Sequence, residues 1–541
     1  MLNKKFLIIT GSIVFTLLAV GTYLLFEHVN PWIENKLATQ LDSLNQASIQ
    51  LKYADLNVNI LSGSADINEV SYNSEDSANV YEITFDKLRI DGLGVMSFLM
   101  NKEIKFDDIL LENPHLKWTR KTVIDSTYQQ QENEEKKKLP SILVKNFRTT
   151  SGSFAILNRN EETINPLLTG EFKLALDQLR VDSAERQRFK FFDLHNLVFD
   201  LRNVEMNMPD SLFKMSIKEI DVDLLAGSVH IDSIHYNSRY KKFKIGHVAN
   251  HEIDWMDVTT KSIDIAGINT EMIISQGLYL IQCITINDLN ASIFRDKRLV
   301  FPNKPDTKLL HQIMAELGVK VNIDTIKVKK ADIQYEEFVK QAVGPGVVSF
   351  NNLYASVYNI TNIDTLSEKV KHRAYMDAQC NVMNKTLLQA SFSFPLREGI
   401  GKYTASGKMK DADLADFNPM LQEVAFVKIE KGHLIDLSFE FNYDLYRSDG
   451  SMNFIYEDLK INTLDKESNE STGLGEEIKS FLANTFIVKT NNKADNSFRV
   501  GAISAERDPK KSVFNYWWKS LLTGFRSSTG IQEPKERIDM N

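Results

Sequence analysis

The stretch Leu396–Leu421, LREGIGKYTASGKMKDADLADFNPML, has the residue types of a phosphate site: glycines, then Gly407-Lys408, then acids at Asp411 and Asp413. A nucleotide-binding loop needs G-x-x-x-x-G-K-[ST], because four intervening residues let the backbone N–H groups converge on phosphate and the final hydroxyl reach magnesium. Gly401 and Gly407 are spaced one residue too far, and Met409 follows the lysine. Tyr403, Ala405, Gly407 and Met409 alternate with Lys402, Thr404, Ser406, Lys408 and Lys410, the period of a half-buried strand. A strand that curves or approaches another backbone explains the glycines, and Asp411 or Asp413 can cap a following helix. Other chemistry is equally thin. His247 and His251 in HVANHE lack the H-E-x-x-H pattern and a third ligand. No G-x-S-x-G elbow occurs, and Asp107-Asp108 suits a turn or strand edge. The reading is therefore of a non-enzyme with no catalytic residues, metal or cofactor.

Among 541 residues, 64 Lys+Arg against 72 Asp+Glu give a formal charge of −8 and no basic stripe, which argues against nucleic acid. Cys283 and Cys380 are far apart in strand-like runs and read as small apolar residues. The N-terminus is more specific. Lys4 and Lys5 precede an uncharged, mostly apolar run from Phe6 to Phe26, followed by Glu27. Its length suits a membrane-spanning helix, and its flanking charges place the chain from Glu27 onward outside. An uncleaved signal anchor over 1–28 fits better than cleavage after Ala19–Gly21.

An amphipathic helix is expected within 29–50, with Trp32, Ile33, Leu37, Leu41 and Leu44 on one face. From there the chain reads as successive alternating strands, with short helices at Leu93–Met100, Lys308–Leu317 and Asp413–Leu421 and a polar surface insert at 129–138. The order of segments is a repeating β region over 51–395, a module over 396–500 and a helix and tail over 501–541. Within it, Leu88, Gly92, Phe106, Ile109 and Leu111 fall on Ile263, Gly267, Ile281, Ile284 and Ile286 at one offset of 263 − 88 = 175. Further on the offset becomes 326 − 147 = 179, matching Phe147 and Phe154 to Ile326 and Ile333. Repeats of this kind grow along an axis, each burying its face on its neighbours.

Such strands could form a sandwich, a barrel or an open curled sheet, and the repeat favours the open form. The fold expected is mainly β, an elongated curled antiparallel groove with short helices behind an N-terminal transmembrane helix. Its apolar face would carry Phe392, Phe394, Tyr403, Met409, Phe439, Phe441, Tyr443 and Leu445. A long apolar trough is tolerable in water only if filled, and acyl chains would fill it. The same residues would equally serve an ordinary core. In the tail, Phe514, Trp517, Trp518, Leu521 and Phe525 recur at helical spacing after Asp508-Pro509. Lys510, Lys511, Lys519 and Arg526 accompany them, which fits either a helix lying in a membrane interface or a plug over the end of the groove.

Three stretches resemble the AsmA-like proteins of Gram-negative envelopes, relatives in architecture of the chorein-type bridge-like lipid transfer proteins. They are the anchor followed by LKYADLNVNILSGSADINEVSY, the unit FDKLRIDGLGVMSFLMNKEIKFDDILLENPHLKW, and GKYTASGKMKDADLADFNPMLQEVAFVKIEKGHLIDLSFEFNYDLYRSDGSMNFIYEDLKI. The resemblance implies an inner-membrane, single-pass protein with its bulk in the periplasm, moving phospholipid toward the outer membrane. It supplies no catalytic residues. The insert at 129–138 and the tail depart from the pattern, and the outer membrane or an envelope protein would be the partner at the C-terminal end. The alternative is an anchored scaffold that assists outer-membrane protein assembly.

Overall fold

In the computed structural model, which describes residues 30–43, 45, 49–59, 62–92, 103–121, 141–159, 163–181, 192–193, 196–464 and 488–530, the alternating segments are strands and the protein is mainly β. The anchor at 1–28, the helix at Leu93–Met100 and the insert at 129–138 lie outside the described residues. Among the described residues no helix is long and apolar enough to cross a membrane. The chain divides into two compact units, 1–209 with 216–230, and 210–215 with 231–541.

The first unit opens with α1 (Asn30–Asp42), inside the helix expected over 29–50; Glu34 accepts the backbone N–H of Val58 at 2.7 Å. Its strands are β1 (Ile49–Lys52), β2 (Asp55–Asn59), β3 (Ser64–Glu75), β4 (Asn79–Asp91), β5 (Glu103–Glu112), β6 (His115–Lys121), β7 (Ser141–Thr149), β8 (Gly152–Arg159), β9 (Ile164–Val181), β10 (Phe192–Asp193) and β11 (Asn196–Asn207). β12 (Phe213–Asp223) and β13 (Ser228–Ser238) contain the division between units. Register aligns Val58, Ala65, Ile90, Ile109, Phe147, Leu176 and Leu197 across six strands and their neighbour. One step along, Asp91, Asp108, Asn146, Asp177 and Asn196 form a polar row on the other face. Side chains alternate across a strand, so paired rows of this kind give the sheet one apolar side.

The second unit contains α2 (Ile245–Ala249), β14 (Asp254–Ile268), α3 (Thr270–Gln276), β15 (Leu278–Asp296), α4 (Leu310–Glu316), β16 (Lys320–Phe338), β17 (Gly346–Thr361) and α5 (Asp364–Lys369). It continues with β18 (Arg373–Val382), β19 (Thr386–Pro395), β20 (Tyr403–Asp413), a 3₁₀ turn (Leu414–Phe417), α6 (Asn418–Val424), β21 (Val427–Tyr443), β22 (Arg447–Thr463), β23 (Gly501–Glu506) and α7 (Val513–Ser528). β14 to β23 pair in chain order, antiparallel except for the parallel pair β15–β16. The first unit likewise has parallel pairs, β5–β7 and β6–β8, so the strands are mixed in direction and not wholly antiparallel as the alternation suggested. Between β15 and β16 a long connection carrying α4 returns the chain to the other end of the sheet, which a parallel pairing requires.

The internal repeat is a structural one. In the first unit Ile90 pairs antiparallel with Ile109, which pairs parallel with Phe147. In the second, Ile265 pairs antiparallel with Ile284, which pairs parallel with Ile326. Gly92 and Gly267, at equivalent positions, both have φ of +70°, and a Cβ would strike Asp107 in one case and Gln282 in the other. Gly92 directly follows β4 and Gly267 is the penultimate residue of β14, and both occupy the left-handed region, which glycine enters without steric cost. Asn113 and Asp288 repeat a second left-handed position, each with φ of +48°. Gly267→Val should therefore destabilise the second unit by about 1–3 kcal/mol, measured by denaturant titration, since it combines strain with a clash.

Candidate functional site

The segment that looked like a phosphate loop is strand β20 and its approach. Gly401 has φ of +94° before the strand, Gly407 lies within it, and Asp413 caps the 3₁₀ turn by accepting the Ala415 N–H at 2.9 Å. A Cβ on Gly407 would come within 2.4 Å of the Phe439 ring, so the glycine lets the aromatic ring of β21 lie across its neighbour. Lys402 and Lys410 are held on the outer side by Asp449 at 2.5 Å and Asp436 at 3.1 Å.

What the register builds from β14 to β23 is a two-faced sheet. One row reads Ile265, Ile284, Ile326, Val357, Met376, Phe392, Ala405, Phe441, Gly450 and Ile503. The row displaced by one residue reads Asp264, Thr285, Lys327, Ser356, Asp377, Ser391, Ser406, Glu440 and Ser451. With strands about 4.8 Å apart, the apolar row runs for roughly 45 Å.

Coverage of that row changes along its length. Ala405 and Phe441 are 1% exposed and Ile503 2%. They lie beneath α7, an amphipathic helix seated on β22 and β23. Trp517 stands 4.6 Å from Phe392 between ring centroids and 6.2 Å from Tyr443, and Phe525 meets Phe454 edge-on at 5.0 Å. The helix starts later than Asp508-Pro509 suggests, because Ser512 caps it by accepting the Asn515 N–H. The preceding turn is tied down separately, with Lys510 paired to Asp306 and Thr307 donating to the Pro509 carbonyl. At the other end of the row, Ile265, Ile284, Ile326, Val357 and Met376 are only half-buried and, among the described residues, belong to no buried cluster.

The eight residues expected to line the groove all lie at the covered end. Tyr403, Met409, Phe441 and Tyr443 are buried in one cluster, with Phe392, Phe394, Phe439 and Leu445 packed on it. Of the residues expected at a membrane interface, Trp517, Leu521 and Phe525 pack on the same cluster, and Trp518 packs on the small cluster of Ala425, Val427 and Leu522. Phe514 is 71% exposed. The Trp517 and Trp518 indole N–H groups and the Tyr443 hydroxyl are buried without a hydrogen-bond partner, so α7 is seated by apolar contact at a polar cost. Sequence alternation could have marked Ile265, Ile284, Ile326, Val357 and Met376, but only the register shows that they continue the same row.

Short elements close the strand ends. α4 packs on β19, with Met314 buried against Ala374 and Leu396. His311 meets the Tyr403 hydroxyl at 2.6 Å, and that oxygen also accepts the His311 backbone N–H at 3.1 Å. Burial pushes the Tyr403 phenol up to about 12 and lowers His311 below its ordinary 6.5. The unfolded chain therefore protonates His311 at a higher pH than the native chain does. The stability from this contact is fully present above about pH 6.5 and is lost as pH falls from there through the lower native value. Denaturant midpoints at pH 7.5 and 5.5 should differ in the native sequence and differ less in His311→Asn. At the opposite strand ends, Asp254, Arg295 and Glu337 are register partners. Asp254 accepts two Arg295 bonds of 2.6 Å, and Lys297 pairs with Glu337 at 2.9 Å.

His247 lies in α2, and His251 Nδ1 meets the Ala249 carbonyl at 2.7 Å. Among the described residues no group of three metal-ligating side chains occurs. Both cysteines are free thiols, and burial pushes Cys380 up to about 11. In comparison with known proteins, no family model and no curated protein matches this chain.

Proposed function

We propose that the protein transfers lipid, anchored by residues 1–28 in the inner membrane and sheltering phospholipid acyl chains on its apolar sheet face in the periplasm, between inner and outer membranes. The observation that carries this reading is the apolar row that continues past the buried core, from Phe392 through Met376, Val357, Ile326 and Ile284 to Ile265, with side chains only half-covered. Each CH₂ shielded there avoids about 0.8 kcal/mol of exposure to water. Headgroups would stay at the rim, where water and side-chain charges are within reach. Nothing in a passive face drives direction; a gradient or a partner must supply it. An assembly scaffold is the second reading, favoured by the filled core beneath α7.

A photo-crosslinking residue placed at Met376 in one variant and at Asp377 in another separates the two readings. Phospholipid covalently attached at 376 and not at 377, in cells, is the expected result. Adducts at neither position, with both variants folded, would leave the scaffold reading.

A further inference from the structure

We propose that the outer, polar side of the same sheet carries a binding furrow for an acidic oligosaccharide. An open furrow of about 720 Å³ crosses six strands, β16 to β21. Its two walls are consecutive polar rows: one includes Lys327, Asp377 and Ser391, the other Tyr354, Gln379, Gln389 and Lys408. It runs across the strands for roughly 24 Å, long enough for a linear chain to lie in it.

The charge pattern selects the ligand. Lys410, on the same strand as Lys408, and Lys402, just before that strand, lie outside the furrow and each pair with an aspartate, and Lys330, next to Lys329, faces Asp288 at 3.6 Å. Lys327, Lys329 and Lys408 line the furrow with a single carboxylate, Asp377, and among the described residues the ion pairs of this region are made by Lys330, Lys402 and Lys410 and not by these three. Set against the one carboxylate of the lining, Asp377, the three lysines leave an excess of two positive charges in the furrow of a chain of net charge −8, a local reversal of sign. The remaining lining suits hydroxyl-rich rings. Gln379 and Gln389 sit 3.5 Å apart with donors and acceptors to spare, and Tyr354 is 45% exposed and offers an aromatic face. Three cations are too few for a nucleic acid, whose affinity depends on neutralising many phosphates. Carboxylated sugars match both the sparse charge and the amide and hydroxyl lining.

The test is a ligand-observed NMR titration of the full chain in non-ionic detergent, using a hyaluronan oligosaccharide as the uronate probe and a chitin oligosaccharide as the neutral one. Saturable binding of the uronate and at least tenfold weaker binding of the neutral chain are expected. Lys327→Gln with Lys408→Gln should weaken uronate binding at least tenfold, and Tyr354→Ala should weaken it as well. Lys402→Gln with Lys410→Gln removes the same charge outside the furrow and should leave affinity unchanged. No saturable binding would overturn the proposal. So would equal weakening by the two lysine pairs, which would reduce the effect to net charge, or complete competition by inorganic phosphate at the concentration of the sugar. These outcomes do not depend on whether the opposite face carries lipid.

Discussion

Phe441→Ala should lower the unfolding free energy of the second unit by about 3–5 kcal/mol, whereas Met376→Ala, in the same row, should cost no more than about 1 kcal/mol. Phe441 is 1% exposed and sits between the rings of Phe439 and Tyr443, at 6.2 and 5.9 Å. Removing it leaves a cavity that rigid neighbours cannot fill. Met376 is half-buried and, among the described residues, outside every buried cluster, so water would take the place of its lost contacts. Denaturant midpoints of the two variants measure the contrast. It bears on function, because a filled core would penalise both truncations alike. If Met376→Ala costs as much as Phe441→Ala, that part of the face is packed by protein and has no room for an acyl chain.

Lys297→Met should be similarly damaging, by about 3–5 kcal/mol, while Lys297→Met combined with Glu337→Leu should recover most of the loss. Glu337 is 0% exposed. One of its oxygens meets Lys297 Nζ and accepts the Tyr335 hydroxyl, both at 2.9 Å, and the other has no partner. Burial, with the neighbouring Glu337 charge, holds the Tyr335 phenol well above its ordinary range. Removing the lysine alone leaves a carboxylate in a dry site; removing both exchanges an ion pair for apolar contact. A double-mutant cycle on thermal or denaturant unfolding reads the coupling. Additive losses would mean that the pair is solvated and only weakly coupled.

Much of this architecture was legible in the chain. Alternation marked β20 as a strand although its glycines and lysine imitate a phosphate loop, and Asp413 is one of the two candidate caps. The short helices near Lys308–Leu317 and Asp413–Leu421 form close to where the pattern puts them. The offset of 175 carries more than similarity of residue types. Gly92 and Gly267 share one φ, and Ile90–Ile109 and Ile265–Ile284 share one register. Such matches survive because left-handed positions and strand pairing constrain residue choice locally. The start of α7 departs from the local pattern. Asp508-Pro509 is a good helix-start pair, but it anchors a turn through contacts to residues 304–307, some 200 positions earlier in the chain.

Residue order by itself determined which side of each strand is apolar and which polar, since a two-residue period records facing directly. It could not determine what each apolar residue meets. Phe441 and Met376 carry the same signal in sequence and occupy the same row, yet one is sealed beneath α7 and its neighbours while the other is half-open. Coverage depends on where a helix from the end of the chain comes to rest against strands far from it in sequence. That is a matter of long-range packing, which no local pattern of residues records.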